Sequence, residues 1–179
     1  MNNNYSSEAD KCRERLSKYC IGDGLDIGFG GSPIVSSAIT LDLPTPYTKV
    51  GDHSQNLHGD ARNLYWFKNE CLDYIFSSHL VEDFTIDEIG SLLWEWWRVL
   101  KFEGHLVLYL PDEQVYRKHC KDKGTSPNAN HKNDNFSLEL LKNIIEIGPS
   151  VIKYGYFDVI HEQAHCDDYC FEIVLQKKK

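Results

Sequence analysis

The feature that most constrains this chain is a succession of short apolar runs. Leu25–Ile27, Ala38–Asp42, Tyr74–Phe76 and His105–Leu110 recur with helix-patterned or turn-rich sequence between them. Brief runs of this kind suit strands covered on both faces. Asn56 to Asp60 adds a weaker strand, and Val151–Ile160 with Tyr169–Leu175 reads as a closing strand pair joined by a polar turn. Strands alternating with helices predict an α/β fold with a mostly parallel sheet, helices on both faces and an antiparallel C-terminal pair.

The helices are marked by their caps. Ser7 with Asp10 has the spacing of a capping box, and Ala9, Cys12, Leu16 and Cys20 share one helical face before Gly22 and Gly24. Thr85 with Glu88 repeats the box, and Ile89, Leu92, Leu93, Trp96 and Leu100 form an apolar stripe that predicts a helix over Thr85–Leu100, closed by Gly104. Ser137–Ile147 is a further helix stopped by Gly148-Pro149. The polar segment between, about 112–135, carries Gly124, Pro127 and four asparagines, and its second half reads as a long loop.

Length and charge narrow the classes. At 179 residues one domain spanning 1–179 is expected, with 1–23 as an N-terminal helix. Net charge of −8 disfavours nucleic-acid binding. No apolar run reaches the about 18 residues of a membrane span. Six cysteines without an apolar leader predict reduced thiols and a cytoplasmic location.

The first strand ends in Asp26-Ile27-Gly28-Phe29-Gly30-Gly31, a backbone that bends sharply and admits a ligand closely. Asp42 stands at the tip of the second strand, where a carboxylate accepts both hydroxyls of a ribose, and Asp60-Ala61 follows the third. Each acid also reads as a turn or cap residue. A pyrophosphate site needs the glycine loop to open a long helix. Ser32-Pro33 follows the loop here, which favours an adenosine ligand without pyrophosphate.

These residues resemble the class I S-adenosylmethionine-dependent methyltransferases, in particular the small type 11 methyltransferase domains. GLDIGFGG (Gly24–Gly31), ITLDLP (Ile39–Pro44), HGDARNL (His58–Leu64), LDYIFSSHLVEDF (Leu72–Phe84) and WWRVLKFEGHLVLYLPD (Trp96–Asp112) occur in that family's order. The resemblance implies a Rossmann-like, seven-stranded sheet and S-adenosylmethionine as cofactor. It maps Asp26, Gly28, Phe29 and Gly30 to the methionine end, Asp42 and Leu43 to the ribose side, Asp60 and Ala61 to adenine, and Ser77, Ser78 and His79 to the reactive centre. Phe29 stands where a small residue is usual, and Phe102-Glu103 replace Pro-Gly.

A base near neutral pKa assists transfer to a hydroxyl or amine. His79 and then His131, with Asn130 and Asn133 beside it, are the candidates, and the 112–135 segment is expected over the acceptor. The acceptor is expected to be a small molecule, saccharide-like or anionic; no metal is expected. Arg117, Lys118, Lys121 and Lys123 suit an anionic acceptor, or simply a solvated surface. The alternatives are a nicotinamide-dependent oxidoreductase and a degenerate cofactor-binding domain. His161-Glu162-Gln163-Ala164-His165 matches the H-E-x-x-H zinc pattern, but its β-branched and aromatic flanks argue against the helix that pattern needs. Cys166 and Cys170 lack standard C-x-x-C spacing.

Overall fold

The structure is a computed structural model and describes residues 7–46, 53–147 and 157–178. One sheet holds seven strands in the order β3-β2-β1-β4-β5-β7-β6. They are β1 (Gly24–Ile27), β2 (Ile39–Asp42), β3 (Leu57–His58), β4 (Leu72–Ser78), β5 (Leu100–Pro111), β6 (Phe157–Cys166) and β7 (Cys170–Lys177). β1 to β5 pair in parallel, and β7 runs antiparallel to both β5 and β6. This is the expected fold class. Val151 to Tyr156 and Gly148-Pro149, assigned above to a strand and a helix stop, lie outside the described residues.

Helices cover both faces. On one lie α2 (Ile86–Val99) and α4 (Leu138–Ile147), on the other α1 (Glu8–Leu16). α2 forms as its sequence dictates. Thr85 caps it, accepting from Glu88 N–H, while the Glu88 carboxylate returns to Thr85 N–H. Ile89, Leu92, Leu93, Trp96 and Val99 are buried along one stripe. Each such side chain contributes about 1.5–3 kcal/mol against the ordering entropy of the helix. Trp96 also donates from Nε1 to the Ala61 carbonyl at 2.8 Å, tying α2 to the segment after β3. Across the sheet, Ala9, Cys12 and Leu16 of α1 join Tyr74, Phe76, Val107 and Tyr109 in a second core. Cys20 is buried with them, although α1 ends at Leu16 and a 3-10 turn (Ser17–Tyr19) carries the chain onward.

Two expectations need correction. Strands and helices do not alternate early on: among the described residues no helix separates β1 from β2, β2 from β3 or β3 from β4. The segment 28–38 is turn because it carries three glycines, three serines and Pro33, and 59–71, with Gly59 and two asparagines, lacks a helical stripe. Gly104 does not close α2. The helix ends at Leu100, whose backbone is already extended, and Gly104 lies inside β5. A Cβ there would sit 2.8 Å from the Lys101 carbonyl oxygen and 3.0 Å from that of Asp73, at the register shift between β4 and β5. The segment 112–135 has the expected loop in its second half, preceded by a helix not assigned from the sequence. That helix is α3 (Glu113–Lys123), capped by Asp112 and ended by Gly124 in the left-handed conformation.

The H-E-x-x-H residues lie in β6, as their flanks predict. In a strand the two histidines stand about 13 Å apart along the chain, too far to share a metal. His161 Nε2 is instead 2.8 Å from Glu172 Oε1. No helix among the described residues is long and apolar enough to cross a membrane.

Candidate functional site

The glycine bend after β1 is built from below and from the side. Gly28 and Gly30 have φ of +69° and +62°, a region that side chains with a Cβ resist. Gly28 N–H donates to the Leu41 carbonyl at 2.8 Å, which joins the tips of β1 and β2. A Cβ on Gly30 would meet nothing within 4 Å, so the bend is open on that side. Beneath it, Asp26 is fully buried and its Oδ2 accepts Ile34 N–H at 2.6 Å. Burial raises its carboxyl to about 7, against the opposing pull of that hydrogen bond. Arg13 of α1 holds the same segment from outside, donating to the carbonyls of Ile34 and Pro33.

Above the bend lies a cleft of about 440 Å³ at the carboxyl ends of the strands. Gly28, Phe29 and Gly30 line one wall, and Asp42 and Leu43 another. Phe29 is 4% exposed and packs into the wall, and the cleft persists beside it. Asp42 accepts Leu43 N–H on Oδ1 at 2.7 Å and Gly30 N–H on Oδ2 at a long 3.4 Å. Four lone-pair directions on a carboxylate leave room there for ligand hydroxyls. Burial raises the Asp42 carboxyl. Asp60 and Ala61 also face the cleft. The Arg62 guanidinium takes both Asp60 oxygens and holds that carboxyl below its usual range. Four of the sequence candidates do not line the cleft: Asp26, Asn130, Asn133 and Ser77, whose Oγ donates to the Ile27 carbonyl at 2.9 Å.

The far end is walled by Ser78, His79 and His131. His79 has φ of +51°, which turns its ring back over the strand tip. Its Nε2 is 3.3 Å from both Cys170 Sγ and Glu8 Oε2. Its Nδ1 is 3.6 Å from Glu82 Oε1. Burial lowers the imidazole to about 4, so the ring is neutral at physiological pH. His131 Nδ1 is 2.6 Å from Glu113 Oε2, and its Nε2 is 3.8 Å from Glu82 Oε1. The 124–135 loop brings His131 here, Lys132 N–H donating to the Glu82 carbonyl and Asn133 to that of Phe84.

Several lining residues were missed from the sequence: Glu82, Tyr116, Asn128, Tyr169 and, from α1, Glu8. Glu82 stands three residues after His79, the one signal that could have drawn attention to it. It is fully buried, and neither carboxylate oxygen reaches a hydrogen-bond partner in another residue. Burial pushes its carboxyl well above the usual range. Glu8, His79 and Cys170 also bring metal-type donor atoms within 4.8 Å of one another. Lys11 already holds the Glu8 carboxylate, and burial raises the Cys170 thiol, so the trio stands as a hydrogen-bonded cluster. Cys166 contributes no ligand, its Sγ donating to the Cys170 carbonyl.

Comparison with known proteins agrees with this layout. A family model described as a methyltransferase domain matches residues 25–108. A crystal structure of a Pyrococcus horikoshii protein superimposes with a TM-score of 0.71 at 17% identity, covering 98% of this chain and 92% of that one. An S-adenosylmethionine-dependent methyltransferase from Archaeoglobus fulgidus gives 0.66 at 19% identity, covering 96% and 95%. A Thermotoga maritima S-adenosylmethionine-dependent methyltransferase, described as a possible histamine N-methyltransferase, gives 0.64 at 20% identity, covering 97% and 88%. No curated protein matches the chain. Over residues 25–108 and in its fold, the chain is similar to the class I S-adenosylmethionine-dependent methyltransferases. S-adenosylmethionine is the cofactor on which the Archaeoglobus and Thermotoga proteins are described as depending.

Proposed function

We propose that this chain, as one domain spanning 1–179, transfers the methyl group of S-adenosylmethionine to a small-molecule or saccharide-like acceptor. The observation that carries the reading is the cleft itself: an open glycine bend and the Asp42 carboxylate at one end, and two partly buried histidines at the other. The sulfonium supplies an activated methyl with a neutral thioether as leaving group. The protein's task is then alignment and exclusion of water.

In this reading Asp42 accepts from the ribose hydroxyls, Leu43 covers the same side, and Ala61 with Asp60 borders the adenine. Gly28, Phe29 and Gly30 flank the methionine end with backbone and ring. Asp26 and Ser77 act from beneath, holding Ile34 and Ile27 in place. Ser78, His79 and His131 face the reacting methyl. Of the two histidines His131 is the better base, because Glu113 orients its ring through Nδ1 and leaves Nε2 toward Glu82.

The anionic version of the acceptor is less well supported. None of Arg117, Lys118, Lys121 and Lys123 lines the cleft, and Arg117 is bonded to Glu113 and Asp134. A nicotinamide cofactor is disfavoured because no helix follows the glycine bend to receive a pyrophosphate. Six free cysteines fit a reducing, cytoplasmic compartment. Calorimetric titration with S-adenosylhomocysteine, and separately with NAD, tests the reading. Binding of the first alone is expected; tight NAD binding, or neither, refutes it. Turnover with no acceptor in a broad panel, despite binding, would leave the degenerate-domain alternative.

A further inference from the structure

Five side chains close a circuit around the far end of the cleft. The His79 and Tyr169 ring centroids lie 6.0 Å apart, those of Tyr169 and Tyr116 5.0 Å, and those of Tyr116 and His131 5.0 Å. His131 Nε2 then approaches Glu82 Oε1 at 3.8 Å, and the other Glu82 contact, at 3.6 Å, returns to His79 Nδ1. All five line the cleft. From this circuit we infer that the acceptor end is a cage for an organic amine, with Glu82 as its anionic floor and the site of proton uptake. The inference rests on the methyltransferase reading and names its acceptor class.

Charge decides between an amine and other ligands. A buried carboxylate without a donor is costly, and its ligand must bring N–H or O–H groups to it. Aromatic faces attract a cation through their electron-rich centres. Among the described residues the acidic side chains of the cleft wall are Glu8, Asp42, Asp60 and Glu82, with Arg62 as the single lysine or arginine, and Arg62 is bonded to Asp60 and Glu88. Lys11, whose ammonium lies 5.6 Å over the Tyr169 ring, is bonded to Glu8 and does not line the cleft. Among the described residues the cage therefore holds no lysine or arginine of its own, and its neutral His79 repels no cation.

The chemistry closes on the same residues. An ammonium entering the cage gives one N–H proton to the Glu82 carboxylate and becomes a nucleophile. The amine lone pair forms the new N–C bond while the C–S bond breaks, its electron pair remaining on sulfur. Positive charge thereby moves onto the nitrogen, where the carbonyl oxygen of the protonated Glu82 can accept from the remaining N–H, and Glu82 passes its proton to water once the product leaves.

The test uses the whole protein saturated with S-adenosylhomocysteine, titrated with n-butylamine, tetramethylammonium, butan-1-ol and methyl glucoside. The two nitrogen probes should bind about tenfold or more tighter than the others and compete with each other. With labelled S-adenosylmethionine, n-butylamine should yield an N-methyl product by mass spectrometry. Glu82→Gln should weaken the amine about 10- to 100-fold and leave S-adenosylhomocysteine affinity within about twofold. Tyr116→Leu, which keeps the carboxyl, should weaken tetramethylammonium about 3- to 30-fold. Butan-1-ol or methyl glucoside binding as tightly as the amines overturns the cage, as does unchanged amine affinity in both variants. Failure of S-adenosylhomocysteine to bind would strike the methyltransferase reading instead, and titration of the amines into the protein alone then reads the cage separately.

Discussion

Replacing Asp26 by asparagine separates a scaffold role from a ligand role. The folded carboxyl keeps its proton up to about 7, whereas an unhindered aspartate loses it near 3.8. Between those values folding takes up a proton, so stability falls as pH rises through the window and levels off above it. A shift of about three units at ~1.4 kcal/mol each is about 4 kcal/mol in all, of which about 3 kcal/mol falls between about pH 5 and about pH 8. Asp26→Asn keeps an acceptor for Ile34 N–H but cannot ionise. Its amide lacks a second partner, since Asp26 Oδ1 has none, and this costs about 1–3 kcal/mol at every pH. The slope, not the absolute value, is therefore the readout. Urea denaturation across that range should show the wild-type protein losing about 3 kcal/mol relative to the variant as pH rises. S-adenosylhomocysteine affinity should change less than about twofold, because Asp26 does not line the cleft. Parallel stability profiles would refute the burial argument. A large loss of affinity with intact stability would move Asp26 into the binding site.

Other residues give shorter tests. Asp42→Ala should weaken S-adenosylhomocysteine by about 10- to 100-fold in calorimetry, through lost hydrogen bonds to a charged acceptor. Gly28→Ala places a Cβ 2.9 Å from Leu80 Cδ2 at a φ of +69°, and its urea midpoint should fall together with cofactor affinity. Trp96→Phe strands the buried Ala61 carbonyl and leaves a void, which should destabilise the protein by about 2–4 kcal/mol in urea.

The strands and the cofactor end were legible because their signals are local. Leu106–Leu110 is apolar throughout, Leu25 and Ile27 flank Asp26 just before a glycine bend, and Asp42 sits at a strand tip that Pro44 announces. The capping boxes at Ser7 and Thr85 fixed the starts of α1 and α2. α3 was hidden because it needs little apolar surface: its buried residues are Glu113 and Cys120, not a stripe. The inward turn of Asp26 was also invisible, since its neighbours in sequence do not reveal that Ile34 loops back over it. Glu82 was missed for the same reason at longer range. Its burial depends on His131, Tyr116 and Tyr169, which α3, the following loop and the turn before β7 bring together.

The place of β7 sets the order in which the molecule can be completed. It lies between β5 and β6 and satisfies the backbone of both, although it is the last of the three in the chain. Until residues 170–177 arrive, β5 presents a bare row of amides and carbonyls from His105 to Pro111, and β6 has no neighbour to dock on. A nascent chain is thus a half-sheet with a sticky margin, vulnerable to joining another copy of itself. The seventh strand acts as a zip, and the sheet closes only once that strand has emerged.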